Sequence, residues 1–297
     1  MRLSLRLFAL AAVLFAADFA QAVCGSAYPD TLPGGRINVG LSGSNFTVFG
    51  AAGFSSTYTN DTFTGPSFVQ GNIGVGPGGN FSWSDGTIDG DVYMDGPGGF
   101  TMSGPAHFTA GHGVKYNQHA VLSPAYTDYQ NLSDAACGEV DTGGYTVNNS
   151  VITLTNVNIT NTSQSMVIAP TATNLATTNR IVLNLNSFTM SAGTFTLEGT
   201  ATTTYIINIK NLFSLNNAKI LLADLSGVVG SATGVQASNV LFNVRSKGIQ
   251  ISLNQGTEMS GILLALGNKV SLSGGKVFGR VIGGQVNITS GGQVVSR

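Results

Sequence analysis

The sequence predicts an all-β fold, an irregular β-solenoid (β-helix) with one α-helix packed along its side. Three observations carry that prediction. From Ser238 to Val295 short runs rich in Val, Ile and Leu (VLFNV, GIQISL, GILLAL, KVSLS, KVFGRVIGG, QVNIT) alternate with Gly, Ser or Asn, the pattern of strands bounded by turn residues. The runs opening at Val240, Ile262 and Val281 lie roughly 20 residues apart, which suits one coil of a solenoid. The chain is also rich in Gly, Thr, Ser, Asn and Val and poor in Lys and Glu, which favours strands and tight turns over helices. Coils of this kind bury their apolar faces only against neighbouring coils, so the architecture is repetitive and quasi-one-dimensional.

In chain order, residues 1–22 have the form of a secretory signal peptide. Arg2 and Arg6 give a positive n-region, Leu7 to Phe19 an apolar core, and Ala20-Gln21-Ala22 an A-x-A cleavage site. A spanning helix needs about 20 apolar residues, and no later stretch reaches that. The mature chain, 23–297, therefore reads as one secreted domain with no membrane insertion. After a Pro- and Gly-containing lead come N-terminal coils over 36–116, including INVGLSGSNFTVFGAAGF and FVQGNIGVGPGGNFSWSDGTIDGDVYM. Phe68, Val92 and Val114 open runs that give these coils a slightly longer beat of about 22 to 24 residues. The break is 123–139, SPAYTDYQNLSDAACGE. Ser123 is a candidate N-cap, Pro124 suits the first helical position, and Gly138 can end the helix. Tyr126, Tyr129 (or Gln130), Leu132 (or Ser133) and Ala136 fall near helical spacing, so one face of this flanking helix can pack on the coils. C-terminal coils fill 145–297, with a small-residue loop from Gly227 to Ser238, and no linker separates two cores.

Composition narrows the function. Only 9% of residues are charged and the formal net charge is −1, with no basic patch for nucleic acid and no acidic run. Two cysteines, Cys24 and Cys137, suggest one disulfide in an exported protein; two separate buried thiols are the alternative.

The order of parts resembles a known family. An FTVFG run, GNIGVGPGGNF-type coils, a mid-chain AYTDYQNL helix and the closing SNVLFN, GILLAL and VFGRVIGG segments are similar to the choice-of-anchor A domains of bacterial surface and secreted proteins. The same layout resembles the microbial ice-binding β-solenoid family, in which a long helix packs along an irregular β-helix. The anchor-type domains are often followed by an anchoring tail, whereas this sequence stops at Arg297.

Few constellations offer chemistry. His107, His112 and His119 lie close together, but their spacing in a Gly-rich loop matches no zinc pattern. Asp85, Asp89, Asp91 and Asp95 form the densest carboxylate group and read as turn residues, since neither calcium-loop spacing is met. A glycan hydrolase would need a paired acid and base, usually with basic residues close by, and no Lys or Arg is near this group in sequence. No G-x-S-x-G elbow or H-E-x-x-H occurs, so no catalytic residue, metal site or cofactor is expected.

Threonines remain. Residues i and i+2 of a strand share a face, so T-x-T pairs present two hydroxyl-and-methyl groups about 7 Å apart, repeated every ~4.8 Å along stacked coils. Such pairs occur at Thr57/Thr59, Thr62/Thr64, Thr153/Thr155, Thr194/Thr196 and in the series Thr200, Thr202, Thr204. Thr153, Thr155, Thr194, Thr196, Thr200, Thr202 and Thr204 make the candidate binding face, although Thr also faces solvent on ordinary strands. The expected role is a non-enzymatic extracellular binding or structural module, adhesin-like, whose partner is a surface, matrix or glycan component. The alternative is an ice-binding protein that recognises crystals, and a polysaccharide-active enzyme comes third.

Overall fold

The computed structural model describes residues 46–54, 60–97, 99–139, 143–150 and 154–296. The signal segment, Cys24, Thr57, Thr59 and Thr153 lie outside them. In chain order the strands are β1 (Phe46–Gly50), β2 (Asn60–Phe63), β3 (Phe68–Gln70), β4 (Asn72–Val75), β5 (Asn80–Trp83), β6 (Thr87–Asp89), β7 (Val92–Met94), β8 (Phe100–Met102), β9 (His107–Phe108) and β10 (Val114–Lys115). Helix α1 (His119–Gly138) follows, then β11 (Tyr145–Val147), β12 (Asn156–Ile159), β13 (Ser165–Pro170), a short α2 (Ala172–Thr177), β14 (Arg180–Met190), β15 (Thr194–Glu198), β16 (Thr204–Leu215) and β17 (Lys219–Ala223). The last five are β18 (Val240–Val244), β19 (Gln250–Leu253), β20 (Glu258–Ser273), β21 (Lys276–Thr289) and β22 (Gln293–Val295).

These strands pair in parallel into three ladders, one for each side of a β-solenoid; only β11 pairs antiparallel, on β13. The first ladder runs from β14 through β16, β18, β20, β21, β1, β4 and β7 to β10. The second takes β12, the latter halves of β14, β16, β20 and β21, and β19, β2, β5 and β8. The third runs β13, β15, β17, the starts of β20 and β21, then β22, β3, β6 and β9. Spatial order therefore departs from chain order, because the N-terminal coils stack on the last C-terminal strands. Gln293–Val295 begins a coil that Phe46–Gly50 and Asn60–Phe63 complete.

The sequence beat holds in part. Val92 and Val114 are direct partners on the first ladder, but Phe68 sits on the third, opposite Thr87 and Gln293. Its true counterpart on the first ladder is Ile73. Short strands joined by one- or two-residue corners place several apolar runs within each coil, and sequence spacing alone does not say which side each occupies.

Side chains alternate along every strand. Those pointing inward form one continuous core that includes Phe188, Phe213, Phe242, Val270, Val286, Phe81 and Trp83. The first ladder is also covered on its outside. Val182, Ile206, Leu241, Ile262, Ile282 and Phe49 pack against Leu122, Ala125, Tyr126, Tyr129, Leu132 and Ala136 of α1. The helical face expected from sequence is the one used. The helix itself starts at His119 rather than Ser123, which puts Pro124 inside it as its sixth residue, past the first turn, so its missing N–H removes the bond to the Ala120 carbonyl.

Helix α1 crosses the junction between N- and C-terminal coils. Tyr126 stacks on Phe54 with ring centroids 4.6 Å apart, and Tyr129 meets Phe49 edge-on at 5.1 Å. Its other end is held by an asparagine ladder. Asn184, Asn208 and Asn243 are in register on β14, β16 and β18. Asn208 donates to the Ala136 carbonyl at 2.6 Å and to Asn184 Oδ1 at 2.9 Å, Asn243 donates to the Ser133 carbonyl at 2.9 Å, and Asn184 to the Glu139 carbonyl at 3.1 Å. The last carbonyls of a helix have no partner within it, and α1 carries no basic residue in its last turn. The Asn208 amide supplies one such donor, at Ala136, beside the Glu139 N–H at 3.3 Å. Cys137 lies in this same turn, half-buried; its expected partner Cys24 is outside the described residues.

Asn208→Leu should remove three bonds, those to Ala136 and Asn184 and the one that Asn208 Oδ1 accepts from Asn243 at 2.9 Å, and take one partner each from the buried Ala136 carbonyl and Asn243 amide. The expected loss is about 2–4 kcal/mol in denaturant unfolding. An unchanged midpoint would show that the ladder does not hold the helix.

Candidate functional site

Among the described residues the first ladder is covered by α1, and the outer sides of the second and third are open. The second ladder bears a repeated tripeptide: a small hydroxyl or amide residue, a large apolar residue, and another small hydroxyl or amide residue. From one end of the stack it reads Asn158-Ile159-Thr160, Thr189-Met190-Ser191, Ser214-Leu215-Asn216, Ser252-Leu253-Asn254, Ser271-Leu272-Ser273, Asn287-Ile288-Thr289, Thr62-Phe63-Thr64, Ser82-Trp83-Ser84 and Thr101-Met102-Ser103. Strand register aligns the first members in one row, among them Asn158↔Thr189, Ser214↔Ser252, Ser252↔Ser271, Ser271↔Asn287, Asn287↔Thr62, Thr62↔Ser82 and Ser82↔Thr101. Backbone bonds carry the ladder on to the third members: Ser191 N–H to the Ile159 carbonyl, Asn254 to Leu215, Thr64 to Ile288, Ser84 to Phe63 and Ser103 to Trp83. The middle residues point inward and are buried, except Met102 on the terminal coil.

The result is two adjacent rows made only of Ser, Thr and Asn, exposed or half-buried, without a charge. At the usual strand spacing they extend for roughly 40 Å, with rows about 7 Å apart. Neighbours bond along the rows: Thr189 Oγ1 lies 3.3 Å from Asn158 Oδ1. A flanking row is more varied. Ser187 donates to Asn156 Oδ1 at 2.9 Å and Asn80 to Asn60 Oδ1 at 2.8 Å, but Leu212 and Lys269 interrupt it. Such a face offers hydroxyl and amide donors and acceptors at a fixed repeat and no net charge.

The third ladder is different in kind. Its outward rows carry Lys219, Glu258 and Lys276 on successive coils, with Lys219 Nζ 3.5 Å from Glu258 Oε1. Lys276 Nζ sits over the Phe278 ring at 4.7 Å from its centroid. Phe68 and Val295 add half-buried apolar surface. It is charged and uneven.

The described threonines of the sequence-derived set do not share a face. Thr155 is exposed just before β12. Thr194 and Thr196 lie on the third ladder, Thr194 between Ser165 and Lys219, and Thr196 is 9% exposed. Thr200 and Thr202 stand at a corner and accept from Asn179 Nδ2 at 3.1 and 2.7 Å. Thr204 is buried at the start of β16. Thr62 and Thr64, a T-x-T pair left out of that set, are on the polar face. Sequence held the signal for the rest, because the tripeptide recurs throughout; a search confined to Thr passes over the Ser and Asn members.

Two of the histidines and three of the aspartates make structural pairs between successive coils at the terminal end of the stack, while His107 bonds Thr87. His119 Nδ1 is 2.9 Å from Asp95 Oδ2, and His112 Nδ1 is 3.5 Å from Asp91 Oδ1. Thr109 donates to Asp89 at 2.7 Å. Lys115 Nζ lies 2.6 Å from Asp91 Oδ2, so a base does reach this carboxylate group, brought there by stacking across 24 residues of sequence from Asp91 to Lys115. Burial pushes the Asp91 carboxyl up, but the Lys115 bond and the Gly113 N–H at 3.1 Å outweigh it and hold the group below its ordinary value. Among the described residues no cluster of His, Cys, Asp and Glu could hold a metal ion. No described helix is long and apolar enough to cross a membrane.

Comparison with known proteins adds a family. The model described as "Putative Ice-binding-like adhesive domain" matches residues 31–295. Comparison with curated proteins gives no match. Among solved structures, an ice-binding protein from an Antarctic biological consortium is similar with a TM-score of 0.53 and 18% identity, over 91% of this chain and 94% of that one. An antifreeze ice-binding protein from Arctic yeast has a TM-score of 0.50 and 15% identity, over 90% and 96%. One from an Antarctic Flavobacteriaceae bacterium has a TM-score of 0.51 and 18% identity, over 85% of this chain and 45% of that one. At these identities the likeness is one of fold. Of the two resemblances read from sequence, these matches support the ice-binding β-solenoid.

Asp91→Ala should free the last coil. The expected result is faster amide hydrogen exchange over residues 107–118 with little change in the C-terminal coils; equal protection would mean the Asp91 contacts do not secure that end.

Proposed function

The chain belongs to the ice-binding-like adhesive domain family, and from that premise we propose that it is an exported, non-catalytic adhesive protein that grips an extended, uncharged, hydroxyl-bearing surface with the polar face of its second ladder. The observation behind this reading is the pair of uninterrupted Ser/Thr/Asn rows, which repeat at the coil spacing and carry no charge. A flat grid of this kind cannot enclose a small ligand. It complements a surface that itself repeats hydroxyl groups, such as a neutral polysaccharide, through many weak bonds made together.

Ice is a second reading, favoured by one feature. Thr62 and Thr64 present methyl and hydroxyl groups side by side, and Thr289 adjoins Thr64 across the coil through the Thr64 N–H bond to Ile288. Methyls ordered beside hydroxyls arrange surface water in a lattice. Elsewhere Ser and Asn hold most of the grid, which suits direct hydrogen bonding more than ordering of water around methyls.

Both readings place contact on the same face, and one series of variants tests it. Ser252→Tyr and Ser271→Tyr, in the middle of the face, should lower retention on the bound surface by roughly tenfold or more, while Thr194→Tyr on the third ladder leaves it unchanged. Co-sedimentation with cellulose and chitin measures the first reading. Recrystallisation inhibition at micromolar protein, with a heat-unfolded control, measures the second. Binding that survives both central tyrosines would remove the polar face from the account.

A further inference from the structure

The inward column beneath the polar face is apolar at every coil but one. In register it contains Phe188, Phe213, Ile251, Val270, Val286, Asp61 and Phe81. Asp61 is 3% exposed. Its Oδ1 accepts the Val286 N–H at 2.6 Å, and its Oδ2 is buried without a hydrogen-bond partner among the described residues. Gly50 makes the space: a Cβ there would lie 2.0 Å from Oδ2. The carboxyl therefore sits where β1 and β2 dock on β21, at the seam between the N-terminal and C-terminal coils.

Among the described residues nothing of opposite charge faces it. β1 (FTVFG) and β5 (NFSW) carry no charged residue. On β21, Lys276 lies over Phe278 on the third ladder, and the Arg280 guanidinium interacts with Tyr129 on the helix side. Asn60 and Gln285, which bond to each other above the site, are neutral. A carboxylate placed here loses its hydration and gains one backbone N–H in return.

We propose that Asp61 is a pH-sensitive latch: as the neutral acid it lets the N-terminal coils close on β21, and its ionisation loosens that seam. The seam crosses the polar face between Thr289 and Thr64, although the latch does not depend on what that face binds.

Burial pushes the Asp61 carboxyl up from 3.8 to about 7, with the Val286 N–H opposing. The unfolded chain thus ionises first. Between these two values the folded state holds a proton that the unfolded state has lost, so stability falls as pH rises from about 4 to about 7 and levels off above. From this group alone the folding equilibrium constant should drop roughly a thousandfold across that window. Asp61→Asn keeps the acceptor for Val286 and removes the proton. Denaturant unfolding of the full mature protein from pH 4 to 9 should show a gap between wild type and variant that opens with rising pH. Exchange of the 46–50 and 60–63 amides, corrected for intrinsic rates, should be faster at pH 8 than at pH 5 in the wild type alone. Parallel stability curves for the two proteins would overturn the proposal. Should Asp61→Asn fail to fold, the Asp61 carboxyl carbon of the wild type decides by NMR: titration near 7 supports the latch, and titration near 4 overturns it.

Discussion

Every outward row in this molecule exists because backbone hydrogen bonds hold each coil in parallel register with the next. Each ladder satisfies the N–H and C=O groups of its strands, and the period of two along a strand then fixes which residues point in and which point out. Once Ser252 is opposite Ser271 and Ser271 opposite Asn287, Leu253, Leu272 and Ile288 must be stacked in the core. The polar face and the apolar core are two sides of one constraint. A slip of a single residue would exchange them.

The same constraint explains why the N-terminal coils can sit on the C-terminal ones. A solenoid coil presents its backbone along its edge, and β1, β2 and β3 take the edges of β21 and β22. That junction is not held by chain connectivity, so it needs other fastenings. Helix α1 is one. A helix of 20 residues is about 30 Å long, close to the six coil steps between β4 and β14 that it spans. Its tyrosines hold Phe49 and Phe54 on one side of the seam, and its C-terminal carbonyls hold the asparagine ladder on the other. Asp61 is a weaker fastening, because one of its buried oxygens has no partner among the described residues.

The fold was legible because its signals are local. Strand-length apolar runs, Gly and Asn corners and the AYTDYQNL face can each be read within a dozen residues. Contacts between coils are not local, and there the sequence reading strayed. Phe68 and Val92 open similar runs but face different sides, and Lys115 reaches Asp91 only through stacking. The site was half legible. Thr62 and Thr64 stood out, whereas Ser82-Trp83-Ser84 and Ser271-Leu272-Ser273 did not, since Ser and Asn are commonplace beside turns. Thr200 and Thr202 drew attention by chemistry, but their hydroxyls cap a corner around Asn179. What marks the site is small polar identity at the same register position on coil after coil, and that requires knowing the register.

Hydroxyl-radical footprinting of the protein adsorbed to its surface, compared with the protein in solution, tests the central claim most directly. Protection should concentrate on the exposed side of the second ladder, at Met102 and Leu212, while Phe68 and Phe278 on the third ladder stay as reactive as in solution. Protection centred on Phe68 and Phe278, with the second ladder unchanged, would contradict it.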